Sequence, residues 1–113
     1  MSSHRILQIN ELIRHELSGL ILAEVEFPKD CLVTIMDVQA SKDLRHAKIW
    51  LSIIPGTYTG QVLSRLDRNI GHLQFLLNQK LSIKPLPRIS FVIDDTEAEA
   101  AGIEVLLDKI KEK

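Results

Sequence analysis

Ala47-Lys48-Ile49-Trp50-Leu51-Ser52-Ile53 alternates small or apolar side chains with Lys48, Trp50 and Ser52. Successive side chains of a β-strand point to opposite faces, so the segment predicts a strand with one apolar face and one bearing a cation, an indole and a hydroxyl. Upstream, Cys31 to Val38 is rich in β-branched and apolar types and predicts another strand, with Ser41-Lys42-Asp43 as the turn between them. Two neighbouring antiparallel strands are the simplest account.

Helical periodicity flanks this pair. Ile6, Ile9, Ile13, Leu17, Leu20 and Ile21 recur at helical spacing, predicting a helix of about twenty residues that Pro28-Lys29-Asp30 breaks. Beyond Pro55-Gly56, Thr57 or Thr59 is placed to cap a helix with a buried stripe of Leu63, Leu66 and Ile70. Arg65, Arg68 and His72 fall at i, i+3 and i+7, and would share the outer face if that helix ran straight. A glycine inside a helix costs about 1 kcal/mol relative to alanine, so Gly71, set between two leucine-rich stretches, predicts a kink or a close backbone approach. A further helix runs through Leu73, Leu76, Leu77 and Leu81 until Pro85 and Pro87 forbid its continuation. Ile89, Phe91 and Ile93 alternate inward with Ser90 outward as a third strand. Thr96 and Glu99 have capping-box spacing ahead of Ile103, Leu106, Leu107 and Ile110, the face of a last helix. The predicted order is α-β-β-α-α-β-α, an α/β chain of the α+β kind.

The chain has 113 residues, 45% hydrophobic and 26% charged, which fits one globular domain spanning 1–113 and argues against a disordered or low-complexity chain. Cys31 is the only cysteine, so no internal disulfide forms, and the residue reads as an inert small hydrophobe in a reducing cytoplasm. No apolar run is long enough for a membrane span, and no membrane partner is expected. The net charge of −1 hides an asymmetry: residues 1–40 carry −3, residues 41–91 carry +6 and residues 92–113 carry −4. A basic middle between acidic ends is the footprint of polyanion binding through one surface.

The usual signatures of catalysis are missing. Gly56 and Gly60 lack the lysine of a phosphate-binding loop, and no Gly-x-Ser-x-Gly elbow occurs. Asp94-Asp95 stands just before Thr96, where negative charge favours a helix N-terminus. His4, His15, His46 and His72 have no metal-ligand spacing. Neither a catalytic set nor a cofactor or metal site is expected. Lys48 and Trp50, by contrast, project to one side of one strand, an arrangement suited to a nucleotide's phosphate and base as well as to a half-exposed aromatic lid.

Val33-Thr34-Ile35-Met36-Asp37-Val38, followed by Ser41-Lys42-Asp43-Leu44-Arg45-His46-Ala47-Lys48-Ile49, resembles the signature of the ribosome-binding factor A family. The helix–glycine–helix element Leu66 to Leu77, the segment Pro87 to Asp95 and the tail Gly102 to Ile110 are similar to the same family, so the resemblance covers nearly the whole chain. It implies a KH-like domain of the type II order, a three-stranded sheet with helices packed on one face. It also implies that an Ala-x-Gly helix kink replaces the Gly-x-x-Gly loop with which ordinary KH domains clamp a nucleic-acid backbone. Here that element is Asn69-Ile70-Gly71. Where family members carry arginines just after the kink, this chain has Gln74, Phe75, Gln79 and Ser82. The RNA-binding residues expected on this basis are Arg45, His46, Lys48, Arg65, Arg68, Asn69, Gly71, His72, Lys80, Lys84 and Arg88. The chain itself is expected to be cytoplasmic and monomeric, and the implied function is a non-catalytic maturation factor. It binds the small (30S) ribosomal subunit and its 16S ribosomal RNA during late assembly and processing, often in the cold. Two rivals remain: a protein-interaction module using the acidic terminal helices, and a small enzyme acting on RNA.

Overall fold

A computed structural model describes residues 3–94. Helix α1 (Ser3–Glu24) leads into β1 (Leu32–Ala40) and β2 (His46–Ile54); a 3-10 turn (Gly56–Tyr58) feeds α2 (Thr59–Arg68), then α3 (Ile70–Lys80) and β3 (Arg88–Ile93). The expected last helix, with Asp95, Thr96 and the tail to Ile110, lies outside the described residues. Strand β2 is central, antiparallel to β1 and parallel to β3. This α-β-β-α-α-β order with a mixed three-stranded sheet is the KH-like arrangement.

The alternation of β2 decides which way the sheet faces. Ala47, Ile49, Leu51 and Ile53 are buried against the helices, and Ile49 and Leu51 have no exposed surface. The helices supply the other half of the same core: Ile9, Ile13, Leu17 and Ile21 from α1, Val62 and Leu66 from α2, and Leu73 and Leu77 from α3. Each fully buried Leu or Ile contributes roughly 1.5–3 kcal/mol of transfer free energy, so this interface dominates stability. Cys31 packs against its edge, and burial raises its thiol pKa, which lowers thiolate content and reactivity.

Strand β1 is an outer strand, and its unpaired edge is partly blunted. Register shifts at Met36, an extra residue between Ile35 and Asp37. Beyond this bulge the Asp37 carboxylate accepts the Val38 N–H at 2.9 Å, and the Asn10 side-chain oxygen, reaching from α1, accepts the Ala40 N–H at 2.9 Å. A bulge and side-chain caps on edge amides oppose pairing with foreign strands.

Three sequence expectations change. The fully buried stripe of α2 is Val62 and Leu66, while Leu63 and Ile70 are only partly buried. Ile70 belongs to the next helix, whose axis differs, so it cannot extend a stripe counted along a single helix. Neither threonine caps α2: the N-cap is Tyr58, without a side-chain cap bond, because the 3-10 turn runs directly into the helix. Gly71 is not the break. The helices part at Asn69, and Gly71 is the second residue of α3, exposed, with nothing within 4 Å of an added Cβ. No close backbone approach requires glycine there.

Gly71→Ala is therefore expected to stabilise the protein by up to about 1 kcal/mol, read as a higher urea or thermal midpoint. Gly71→Val should also be accommodated without a clash. A large loss of stability in both variants would show a constraint at Gly71 that the backbone does not reveal.

Candidate nucleic-acid interface

The turn between β1 and β2 is built on Ser41. Its N–H donates to the His46 carbonyl at 2.8 Å, and its hydroxyl oxygen accepts the N–H groups of Arg45 at 3.2 Å and His46 at 3.1 Å. The same hydroxyl donates to Asp43 at 2.6 Å. That hydrogen bond, with the backbone N–H of Arg45, holds the Asp43 pKa below the ordinary carboxylate value. Leu44 takes a left-handed backbone, φ 58°, and its side chain is buried. Such a conformation costs a non-glycine residue of order 1–3 kcal/mol, which burial of the leucine offsets. With Leu44 turned inward, Arg45 and His46 lie on the surface.

Strand β3 starts beside this turn, where the Arg88 N–H donates to the Arg45 carbonyl at 2.9 Å and Arg88 stands in register with His46. Lys48, next on the outer face of β2, lies between Gln39 and Ser90. Arg45, His46, Lys48 and Arg88 are thus brought together by turn and register, all exposed. The one ion pair in the group, Arg45 with Asp43, is 4.0 Å long and solvent-exposed, so salt screens it and it is worth little. Lys84, also exposed, lies in the loop that leads to Arg88, and Lys80 ends α3 just before that loop.

Farther along β2, Trp50 stands between Asp37 and Val92 on the same outer face. Its indole N–H donates to Gln39 Oε1 at 3.1 Å, and Gln39 Nε2 donates to Asp37 Oδ2 at 3.3 Å. Ser52 follows on that face but is buried, 6% exposed, opposite Thr34.

Arg65 and His72 occupy a different place. The Arg65 guanidinium donates to the Glu26 carbonyl at 2.6 Å, and His72 Nε2 lies 3.0 Å from Glu24 Oε1. Both contacts hold the α2–α3 junction to the C-terminal end of α1, whereas Asn10 ties the other part of α1 to Ala40 beside the Ser41 turn. Glu24 lies fourteen helical steps beyond Asn10, about 20 Å along the axis. The basic middle segment therefore supplies two cationic groups: among the described residues the one at the junction contacts Glu24 and the Glu26 carbonyl, and the one at the turn has the Arg45–Asp43 pair. Arg68 Nη2 donates to Ser64 on its own helix at 3.3 Å.

Asn69 is spent largely on the junction. Its side-chain Nδ2 donates to the Arg65 carbonyl at 2.7 Å, its N–H reaches the Arg65 and Leu66 carbonyls, and its own carbonyl accepts the Leu73 N–H at 2.9 Å. One residue thus closes α2 and starts α3. Sequence reasoning missed two further residues that position this surface. Gln74, read only as a lost cation, donates from Nε2 to the Pro87 carbonyl at 3.1 Å and accepts the Ile89 N–H on Oε1 at 2.9 Å, fixing the start of β3. Gln39 orients Trp50; its place across the strand from Lys48 was the available signal.

The family model described as ribosome-binding factor A matches residues 5–107. The chain is similar to the ribosome-binding factor A of Halothermothrix orenii, 32% identical over 100% of this chain and 93% of that protein. Its fold is similar to the crystal structure of ribosome-binding factor A from Thermus thermophilus, with a TM-score of 0.69 and 20% identity, covering 78% of this chain and 94% of that one. It is also similar to coordinates of the Thermus thermophilus factor fitted into a cryo-electron-microscopy map of a 30S complex. There the TM-score is 0.56 at 20% identity, with 83% of this chain and 96% of that one covered.

Asn69→Ala is expected to lower stability by about 1 kcal/mol through loss of the bond to the Arg65 carbonyl, measured by urea denaturation. RNA affinity should stay at the wild-type value, and a selective loss of affinity at unchanged stability would place the Asn69 side chain on the ligand instead.

Proposed function

The chain belongs to the ribosome-binding factor A family, and from that membership we propose that it is a non-catalytic assembly factor, binding the small ribosomal subunit through 16S ribosomal RNA during late maturation. The observation that carries this reading is the exposed group Arg45, His46, Lys48 and Arg88, gathered by the Ser41 turn and the β2–β3 register. Lys80 and Lys84 extend it, while Arg65, Arg68 and His72 form a second, weaker contact near the helix junction. The factor acts as a monomer in the cytoplasm, and its action matters most in the cold, where RNA rearrangements slow.

No bond-making chemistry is needed. A protein that binds one RNA conformer more tightly than another shifts their populations by that difference alone, tenfold for about 1.4 kcal/mol. Cationic side chains supply affinity by displacing counterions from phosphates, with a slope of log K against log salt of roughly −0.7 to −0.9 per neutralised phosphate. The register of the cations on a rigid sheet supplies preference for one RNA shape.

Arg45→Glu combined with Lys48→Glu is expected to weaken co-sedimentation with immature small subunits on the order of tenfold or more. Both side chains are exposed, so the melting temperature should hold. Wild-type binding should also weaken steeply between about 50 and 200 mM salt. Unchanged co-sedimentation of the double variant, or indifference to salt, would favour a protein-interaction module.

A further inference from the structure

The helices pack on one face of the sheet, and the outer face is covered by no described helix. That face holds a fixed aromatic. Trp50 is half-buried, and its only polar atom is satisfied by Gln39, itself held by Asp37, whose other carboxylate oxygen accepts the Val38 N–H. A chain of three hydrogen bonds thus pins an indole on the surface of a sheet whose core lies on the opposite side. Along β2 the outer residues run His46, Lys48, Trp50, spaced about 6.6–6.8 Å apart, with Arg88 beside His46. Asp37 is the acid in register with Trp50, and its two oxygens are already engaged by Val38 and Gln39.

We propose that this outer face of β2 is a stacking platform for single-stranded RNA: an unpaired base lies on the Trp50 indole, and Lys48, His46 and Arg88 hold the phosphates of the adjoining nucleotides. This rests on the reading of the protein as an RNA-binding factor and specifies the RNA it takes. Duplex RNA keeps its bases stacked inside and offers a protein mainly phosphates and 2′-hydroxyls, which use no aromatic plane. A splayed base presents a π-face to an aromatic side chain whatever its identity. An indole whose N–H is already occupied offers that face without the cost of ordering the ring on binding. Charge complementarity points the same way, since Lys48, His46 and Arg88 form no ion pair among the described residues and a polyanion supplies one.

Trp50 is the sole tryptophan of the chain, so its emission reports on the platform directly. The full chain is titrated at low salt with a short single-stranded oligouridine and, separately, with a blunt RNA duplex of equal length. The single strand is expected to quench Trp50 emission, and the duplex is not. Trp50→Leu should weaken binding of a labelled single strand about tenfold, within the range measured for loss of one stacked base, and Trp50→Phe should weaken it less. Binding of the single strand without quenching, equal quenching by duplex, or unchanged affinity in Trp50→Leu would overturn the platform. So would a wild-type protein that co-sediments with small subunits yet ignores the single strand. Loss of subunit binding by the wild type is a separate result, and it would overturn the broader reading instead.

Discussion

The central strand β2 is flanked by β1 along its length and by β3 from His46 to Leu51, so its side chains there can only alternate. Ala47, Ile49, Leu51 and Ile53 turn into the core, and this sends His46, Lys48 and Trp50 to the other face. A slip of one residue would put Lys48 and Trp50 among the helices and Ile49 and Leu51 in water. Several core residues at roughly 1.5–3 kcal/mol each resist that slip. The outer array is thus held by the strongest term in the fold, even though its own side chains contribute little to stability.

The same logic explains what the sequence made legible. Strands and long helices followed from periodicity, because burial on one face imposes a period of 2 or 3.6 that the order of residues records directly. The cationic cluster was half legible: the alternation of β2 placed Lys48 outward, but only the β2–β3 register brought Arg88 beside His46, 42 positions along the chain. Nothing local encodes that pairing. The placement of Arg65 and His72 was not legible for a related reason. Both still reach the end of α1 across the break at Asn69, through Glu26 and Glu24, and no spacing along α2 and α3 records that this end lies away from the Ser41 turn.

The junction shows how a polar side chain takes over work usually ascribed to glycine. A helix end leaves carbonyls without partners, and a following helix starts with amides in the same condition. Asn69 meets part of both needs, donating twice to the Arg65 carbonyl, from side chain and backbone, while its own carbonyl opens α3. Its φ of −103° and ψ of 5° are open to an ordinary residue. Gly71 thus carries none of the turn, and residue type alone misplaced the break by two positions.

Electrostatics then separates the two cationic groups. Near the junction, Glu24 sits 3.0 Å from His72, and the Glu26 carbonyl occupies the Arg65 guanidinium. An RNA phosphate there must compete with contacts that already hold α1, α2 and α3 together. Among the described residues, the acidic contact at the Ser41 turn is the long, exposed Asp43 pair, which salt weakens as readily as it weakens any surface attraction. A ligand phosphate approaching Arg45, Lys48 and Arg88 displaces solvent and counterions and breaks no structural bond. The acids of α1 are engaged at more than one place, Glu11 by Arg14 within the helix and Glu24 by His72 at its C-terminal end, so the net charge of −1 says little about which surfaces stay cationic.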